Sequence, residues 1–578
     1  MQRPIGKLRE TIANVQSDFA VLALVGILVG VGSGLAGIGL HFGLDVIHPR
    51  VEASRQSASY GAILFPAVGA LMSWFLLNRL AHYKGRGIAD VIWSAYREGG
   101  HMPKKSMFTQ MLSSWLTIGS GGSAGPEGPI AFTGAAIGSN IGSLFRLSEL
   151  RRTTLLCCGV AGAISAIFNA PVTGMFFAIE LIMGEWVSTQ ILPIALSSVV
   201  ANLLTSHILQ DAPIFHVEGY STGILDLVLC SGLAMSAGIG SLLLRKSIEF
   251  NEVFFHKLFL PPFAKPFLGG LAVGALGLFL PDVLYEGYQF VDRSFQGEMS
   301  GGLVLLFVLL IAKTWATGLT LGSGGCGGIF APALFIGAGI GLLYHGIVIG
   351  IVPGLEPHMA KPGAYALLGM AAFIGATLHA PVTAIFLVAE VTGSKITGSG
   401  DMLAPLILVT AFSTLLSIHL KRISFYQVEL EHLGGREKIN LDSRILADIE
   451  LDELVTPVDK ILEEDQVVPS AHAEILDCDK DVYPVVDASG RYVGMVRSIH
   501  LLGIDPTASQ LMLVSDLMDA SWPMCRRGAT PAALFTIFDF SDAHVVPYVE
   551  EDGQLIGLIR ADRFLRRYHQ ELLIQTTN

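Results

Sequence analysis

The sequence predicts an all-α polytopic membrane protein built as an inverted internal repeat, followed by a cytoplasmic α/β domain. Three observations predict it: an uneven distribution of charge, long runs without ionisable residues, and two separate internal repeats. The chain has 578 residues, 51% hydrophobic and only 15% charged, against about 25% charged in an average globular domain. From residue 437 onward there are 25 acidic and 12 basic residues, whereas residues 1–436 hold 24 acidic and 25 basic ones. The tail therefore carries the net negative charge and the first part is nearly neutral. Neither part offers the clustered basic surface that a nucleic acid would require. The six cysteines, Cys157, Cys158, Cys230, Cys326, Cys478 and Cys525, contain no CxxC pair, so neither a disulfide frame nor a zinc site is indicated.

The membrane part follows from the charge-free runs. Residues 153–179, 186–210, 314–355, 362–389 and 402–420 lack Asp, Glu, Lys and Arg altogether. A bilayer core needs about 20 apolar residues per helix, and with the other apolar stretches ten or more membrane-embedded helices are expected. The polar N-terminal segment does not read as a cleavable leader. Lys and Arg cluster at 3–9, 79–105, 146–152, 245–265 and 421–438. Basic loops tend to stay cytoplasmic, which places both termini inside the cell and suggests the plasma (inner) membrane.

Gly119 to Gly138 (GSGGSAGPEGPIAFTGAAIG) matches Gly322 to Gly341 (GSGGCGGIFAPALFIGAGIG) at 11 of 20 positions, and residues 159–183 match 369–393 at 10 of 25. The second pair shares APVT and a later glutamate, Glu180 or Glu390. The membrane domain, residues 1–436, is thus a duplicated unit with halves at about 19–210 and 224–426. Transporters built this way place their site at the repeat interface, where broken helices meet. In both copies a Gly-rich loop runs into an apolar helix start, so free backbone N–H groups and the positive helix end converge, an arrangement that attracts anions. Cations would need clustered carboxylate or carbonyl oxygens, yet the acidic residues deep in the apolar runs are few: Glu127, Glu180 and Glu390. Glu180 and Glu390 hold equivalent places in both copies, which points to a scaffold role. Glu127 aligns with Phe330, so only one half carries a carboxylate at this helix start. An ionisable residue there is a functional candidate.

At these residues the sequence resembles the CLC family of chloride channels and chloride/proton antiporters, over Asp18 to about Tyr426. Gly125-Pro126-Glu127-Gly128-Pro129 looks like the family's G-R-E-G-P, with Pro126 in place of Arg. Gly327-Gly328-Ile329-Phe330-Ala331-Pro332 is similar to its G-G-I-F-A-P, and Tyr426 matches the tyrosine that closes the inner mouth of the pore. Gly85-Arg86-Gly87-Ile88-Ala89 looks like G-S-G-I-P with Arg86 for the serine. The resemblance implies a homodimer in a lipid bilayer, each subunit with its own chloride pathway and no required cofactor. It implies that Glu127 is the gating glutamate, that Gly125, Gly128, Gly328, Ile329, Phe330 and Ala331 surround the ion, and that Tyr426 offers it a hydroxyl. In proton-coupled members a second glutamate passes protons inward from the position that is Leu181 here, and Leu181 cannot carry one. That leans the reading toward a channel, with a chloride/proton antiporter as the alternative, since Glu185 is a neighbouring group able to substitute. Arg86 is read as lining the inner pathway, against snorkelling from its basic loop into cytoplasmic water.

In the tail, 437–578, Val482 to Leu502 matches Val545 to Leu565 at 7 of 21 positions. Each copy reads as strand, glycine turn, strand and helix, and the pair resembles paired CBS domains, the first about 450–504 and the second about 512–570. Where nucleotide-binding copies carry threonine and aspartate, this chain has Arg497 with His500 and Arg560 with Arg563. That argues against an adenine nucleotide, although Arg497 and Arg560 retain the chemistry to meet phosphate. A CBS-bearing divalent-cation channel is a distant alternative, which the scarcity of intramembrane acids disfavours. No enzyme motif is present.

Overall fold

Gly- and Ala-rich apolar sequence packs helices through close backbone approach, and this governs the first of two compact units, Met1–Glu437 and Lys438–Asn578. The computed structural model describes residues 3–81, 87–184, 186–209, 215, 223–296, 302–392, 402–432, 449–476, 480–504, 511–540 and 543–577. Gly85, Arg86, Glu185 and Cys478 lie outside them.

Among its described residues, the first unit's regular elements are all helices, joined by loops. Its first half contains α1 (Arg3–Ala58), α2 (Leu64–Leu76), α3 (Ile88–Arg97), α4 (Ser106–Gly119), α5 (Glu127–Leu144), α6 (Glu149–Phe168), α7 (Pro171–Phe177) and α8 (Ser188–Leu209). The second half contains α9 (Ile224–Lys257), α10 (Ala264–Phe279), α11 (Tyr288–Phe295), α12 (Gly302–Gly322), α13 (Phe330–Ile351), α14 (Pro362–Leu378), α15 (Pro381–Val391), α16 (Leu403–Leu420) and α17 (Phe425–His432). Among the described residues, eight helices are long and apolar enough to cross a membrane, and four shorter apolar helices accompany them. This is a multi-pass membrane architecture.

The two internal repeats are packed alike. A Cβ on Gly159 of α6 would lie 1.9 Å from the Gly134 carbonyl oxygen of α5, and one on Gly369 of α14 would lie 2.3 Å from the Gly337 carbonyl oxygen of α13. One turn further on, Gly138 faces the Leu155 carbonyl and Gly341 the Tyr365 carbonyl, and a Cβ on either glycine would lie 1.9 Å from that carbonyl oxygen. No residue but glycine fits there. In a membrane, where lipid is as apolar as leucine, such small-residue contacts supply the dispersion that holds helices together. Both α6 and α14 end on a residue in the left-handed region, Asn169 (φ 53°) and His379 (φ 55°). Each is followed by the Ala-Pro-Val-Thr turn that starts α7 or α15.

The second unit repeats a smaller motif. Strand β1 (Leu462–Glu463) pairs in parallel with β2 (Val482–Val486), which pairs antiparallel with β3 (Tyr492–Arg497). Strands β4 (Cys525–Arg526), β5 (Val545–Val549) and β6 (Leu555–Arg560) repeat that order and register. Both hairpins turn on a glycine with positive φ, Gly490 (80°) and Gly553 (91°), where a Cβ would be strained. Helices α18 (Val468–Ile475), α19 (Ser498–Leu502), α20 (Pro531–Phe540) and α21 (Ala561–Thr577) accompany the sheets.

Gly134→Val is expected to drive α5 and α6 apart and cost about 1–3 kcal/mol. The check is the thermal unfolding midpoint of the detergent-solubilised protein, with Gly350→Val as control. Nothing lies within 4 Å of a Cβ at Gly350, so the control should melt like the parent.

Candidate functional site

The two Gly-rich loops meet directly. The Gly125 N–H donates to the Gly328 carbonyl at 2.8 Å, and the Gly328 N–H donates back to the Gly125 carbonyl at 2.6 Å. This reciprocal antiparallel pair is the contact a pseudo-two-fold axis between the repeats produces. Two residues beyond it on each strand a helix begins, α5 at Glu127 and α13 at Phe330. The first amides of a helix have no intrahelical acceptor, so two sets of free N–H groups and two positive dipole ends share one place. Glycine is required here because backbone approaches backbone: a Cβ on Gly328 would stand 2.9 Å from the Gly128 nitrogen.

Glu127 is fully buried. Its Oε1 accepts a hydrogen bond from the Tyr288 hydroxyl at 3.0 Å, while Oε2 has no hydrogen-bond partner. Oε2 folds back over its own loop, so that a Cβ on Gly125 would meet it at 1.9 Å. The backbone of Ala331 also acts on this carboxylate. The Phe330 ring packs among Phe168 and Phe177, with centroids 6.1 Å and 5.5 Å away. What Phe330 can present to an ion is therefore its main chain.

Two cavities approach this point from different sides. One, of about 310 Å³, is lined by Gly87, Ile88, Gly128, Gly328, Ile329 and Tyr426 among others. Here Gly87 (φ 79°) makes the left-handed turn into α3, which adds a third helix start to the wall. The Tyr426 side chain is buried and its hydroxyl has no hydrogen-bond partner. The other cavity, of about 530 Å³, is lined by Pro126, Glu286 and Tyr288 and by His41, Asp45 and His48 of α1. Since Pro126 lines one cavity and Gly128 the other, Glu127 stands between them.

Among the residues singled out in the sequence, Gly87, Ile88, Gly125, Glu127, Gly128, Gly328, Ile329, Phe330, Ala331 and Tyr426 are thus brought to one region. Gly85 and Arg86 lie outside the described residues, as does Glu185. Leu181 is half-buried and packs against the helical core. Its neighbour Glu180 is fully engaged: Oε1 accepts from the Val382 N–H at 3.2 Å, and Oε2 accepts from the Thr383 N–H and hydroxyl at 2.7 and 2.6 Å. Glu390 repeats this on α7, accepting from the Val172 N–H at 3.0 Å and from the Thr173 N–H and hydroxyl at 2.7 Å each. Each half caps the other's Ala-Pro-Val-Thr helix.

Three residues escaped the sequence reading. Tyr288 touches Glu127, Glu286 lines the larger cavity, and the fully buried Lys313 donates to the carbonyls of Val283 (3.1 Å) and Tyr285 (2.9 Å). Lys313 left a signal, a lone charge between two apolar runs. Tyr288 left none, because it lies outside the two aligned segment pairs, 119–138 with 322–341 and 159–183 with 369–393. Among the described residues no group of three or more His, Cys, Asp or Glu could hold a metal ion.

In the second unit Arg497 and Arg560, at the ends of β3 and β6, line a single cavity of about 660 Å³ with Lys460, Lys480, Trp522 and His544. The Arg497 guanidinium lies 5.4 Å from the Trp522 ring centroid. Arg560 donates to Asp562 at 3.1 Å and holds that carboxyl below its ordinary range. Arg563 turns away, donating to the Glu453 carbonyl at 3.2 Å.

Residues 68–417 match the family model described as voltage gated chloride channel. The chain is 34% identical over 409 residues to the chloride channel protein CLC-e of Arabidopsis thaliana, covering 64% of this chain and 56% of that one. It spans little more than half the length of that relative. It is 29% identical over 385 residues to the voltage-gated ClC-type chloride channel ClcB of Escherichia coli, covering 65% of this chain and 88% of that one. Among solved structures, a slow cyanobacterial Cl-/H+ antiporter shares its fold with a TM-score of 0.64 at 23% identity, covering 72% of this chain and 98% of that one.

Glu180→Ala should uncap α15 and lower stability by about 1–2 kcal/mol, read as a lower melting midpoint in detergent. Glu390→Ala should cost a similar amount, because the two caps are chemically the same.

Proposed function

The chain belongs to the voltage gated chloride channel (CLC) family, and from that premise we propose that it carries chloride or a similar small anion across a membrane along a path gated by Glu127. The observation that carries this reading is the reciprocal Gly125–Gly328 pair, which sets two helix starts around one buried carboxylate between two cavities. Main-chain amides and a hydroxyl without an acceptor suit an anion. A cation would need an oxygen cage, and Glu127 alone does not make one.

The mechanism follows from charge. When ionised, the Glu127 carboxylate is itself an anion beside the helix starts and excludes another from that place. When protonated it loses the charge that favours its place beside the helix starts, and a chloride ion at Tyr426 can take its position. Transport then requires that the ion be held firmly enough to enter and loosely enough to leave. Supplying protons to Glu127 from the Tyr426 side is the step at which this chain departs from proton-coupled relatives. Leu181 has no proton to give, and both Glu180 oxygens are occupied by the α15 cap. We therefore read the transport as channel-like. One observation favours antiport as the second reading: Glu252 and Glu429 line the Tyr426 cavity, offering carboxyls on that side by another route.

The same reading makes the protein a homodimer with cytoplasmic termini in the plasma (inner) membrane, in keeping with the basic clusters near the termini. It makes the second unit a CBS pair that packs rather than senses adenine nucleotide.

Purified protein in liposomes, with anion efflux and proton movement followed together, tests the central claim. Anion flux that rises on acidification and lacks stoichiometric proton uptake is expected. Glu127→Gln should conduct at all pH values without a gate. Proton uptake locked to a chloride gradient would replace the channel-like reading with antiport. For the tail, titration of ATP, ADP and AMP into the full-length protein should give no saturable heat. A saturable heat that disappears in Arg497→Ala/Arg560→Ala would overturn that part.

A further inference from the structure

Tyr288 is built into place. It follows Gly287, whose φ of 87° suits glycine and whose Cβ would strike the Phe335 ring at 2.5 Å. The preceding segment is clamped by Lys313, which donates to the Val283 and Tyr285 carbonyls. Two residues further along α11, Phe290 stacks on Phe335 with centroids 4.0 Å apart. The Tyr288 ring itself meets Phe215 edge-on at 5.9 Å. A ring packed on Phe215 and set on an anchored helix start delivers its hydroxyl to one spot, and that spot is Glu127 Oε1, 3.0 Å away.

We propose that Tyr288 is a positioning residue that latches the Glu127 gate in its blocking position through this hydrogen bond. The proposal rests on Glu127 being the gate. A hydroxyl donating to a carboxylate favours the ionised form and opposes any rotation that breaks the contact. Both effects hold the gate shut. The other titratable and charged groups facing the pair are Glu286 from the loop before α11 and Tyr426 from α17, with Lys313 of α12 facing Glu286. His41, Asp45, His48, Glu52 and Arg55 of α1, with Asp282 and Tyr285 ahead of α11, lie across the larger cavity. Replacing one hydroxyl leaves all of them in place, so a phenylalanine isolates the latch.

The sign is fixed by the bond. Without the donor, Glu127 accepts a proton at a lower proton concentration, so opening moves to higher pH. Tyr288→Phe in liposomes should shift the half-maximal pH of anion flux upward by about one unit, which corresponds to ~1.4 kcal/mol. In a Glu127→Gln background the same substitution should change nothing, because no carboxylate remains to latch. A pH profile of Tyr288→Phe that superimposes on the parent's overturns the latch. So does an equal change in flux with and without Glu127, which would mark a purely structural role. If Glu127→Gln keeps the parent's pH dependence, the gate reading falls and the latch with it. Loss of the shift with Glu127→Gln still ungated sinks the latch alone.

Discussion

Everything at the centre of the membrane unit depends on two backbone hydrogen bonds between glycines that lie 203 residues apart in the chain. Each uses an amide and a carbonyl that a buried, irregular loop would otherwise leave unpaired, at a cost of several kcal/mol in a water-free interior. By satisfying each other, the loops can be both irregular and dry. The remaining amides, those of the helix starts just beyond, are then the ones left over for an ion. Without the pairing the loops would need water or side chains to satisfy those groups.

The same economy explains the glutamates. Three carboxylates lie deep in apolar sequence, and they divide by what surrounds them. Glu180 and Glu390 each receive three hydrogen bonds from the opposite half, so their charge is spent on structure. Glu127 receives one from Tyr288 and keeps an oxygen unpartnered. A carboxylate held by one hydroxyl is less firmly fixed than one held by two amides and a hydroxyl.

Much of this was legible in the sequence. The duplication, the Gly-rich loops ahead of helix starts and the asymmetry between Glu127 and Phe330 all follow from aligning the chain with itself. The paired placement of Glu180 and Glu390 was visible too, and its scaffold reading agrees with the caps. What stayed hidden depends on distance between segments with no counterpart. Tyr288 opens a short helix outside the two segment pairs that align closely, and only the fold brings it to Glu127. The ring of Phe330 also turned out to serve the aromatic core, which no motif announces. In the tail, the 63-residue repeat predicted two equal hairpins, but the convergence of Arg497 and Arg560 on one cavity required the pairing of the two copies.

The crossed caps bear on how such a chain arose. Helix α7 borrows its stopper from the second half and α15 borrows its own from the first, so a solitary half would have two polar ends exposed in oil. A single-copy ancestor would have needed a second copy to supply the missing cap. Severing the linker between the halves should accordingly leave fragments that survive only as partners.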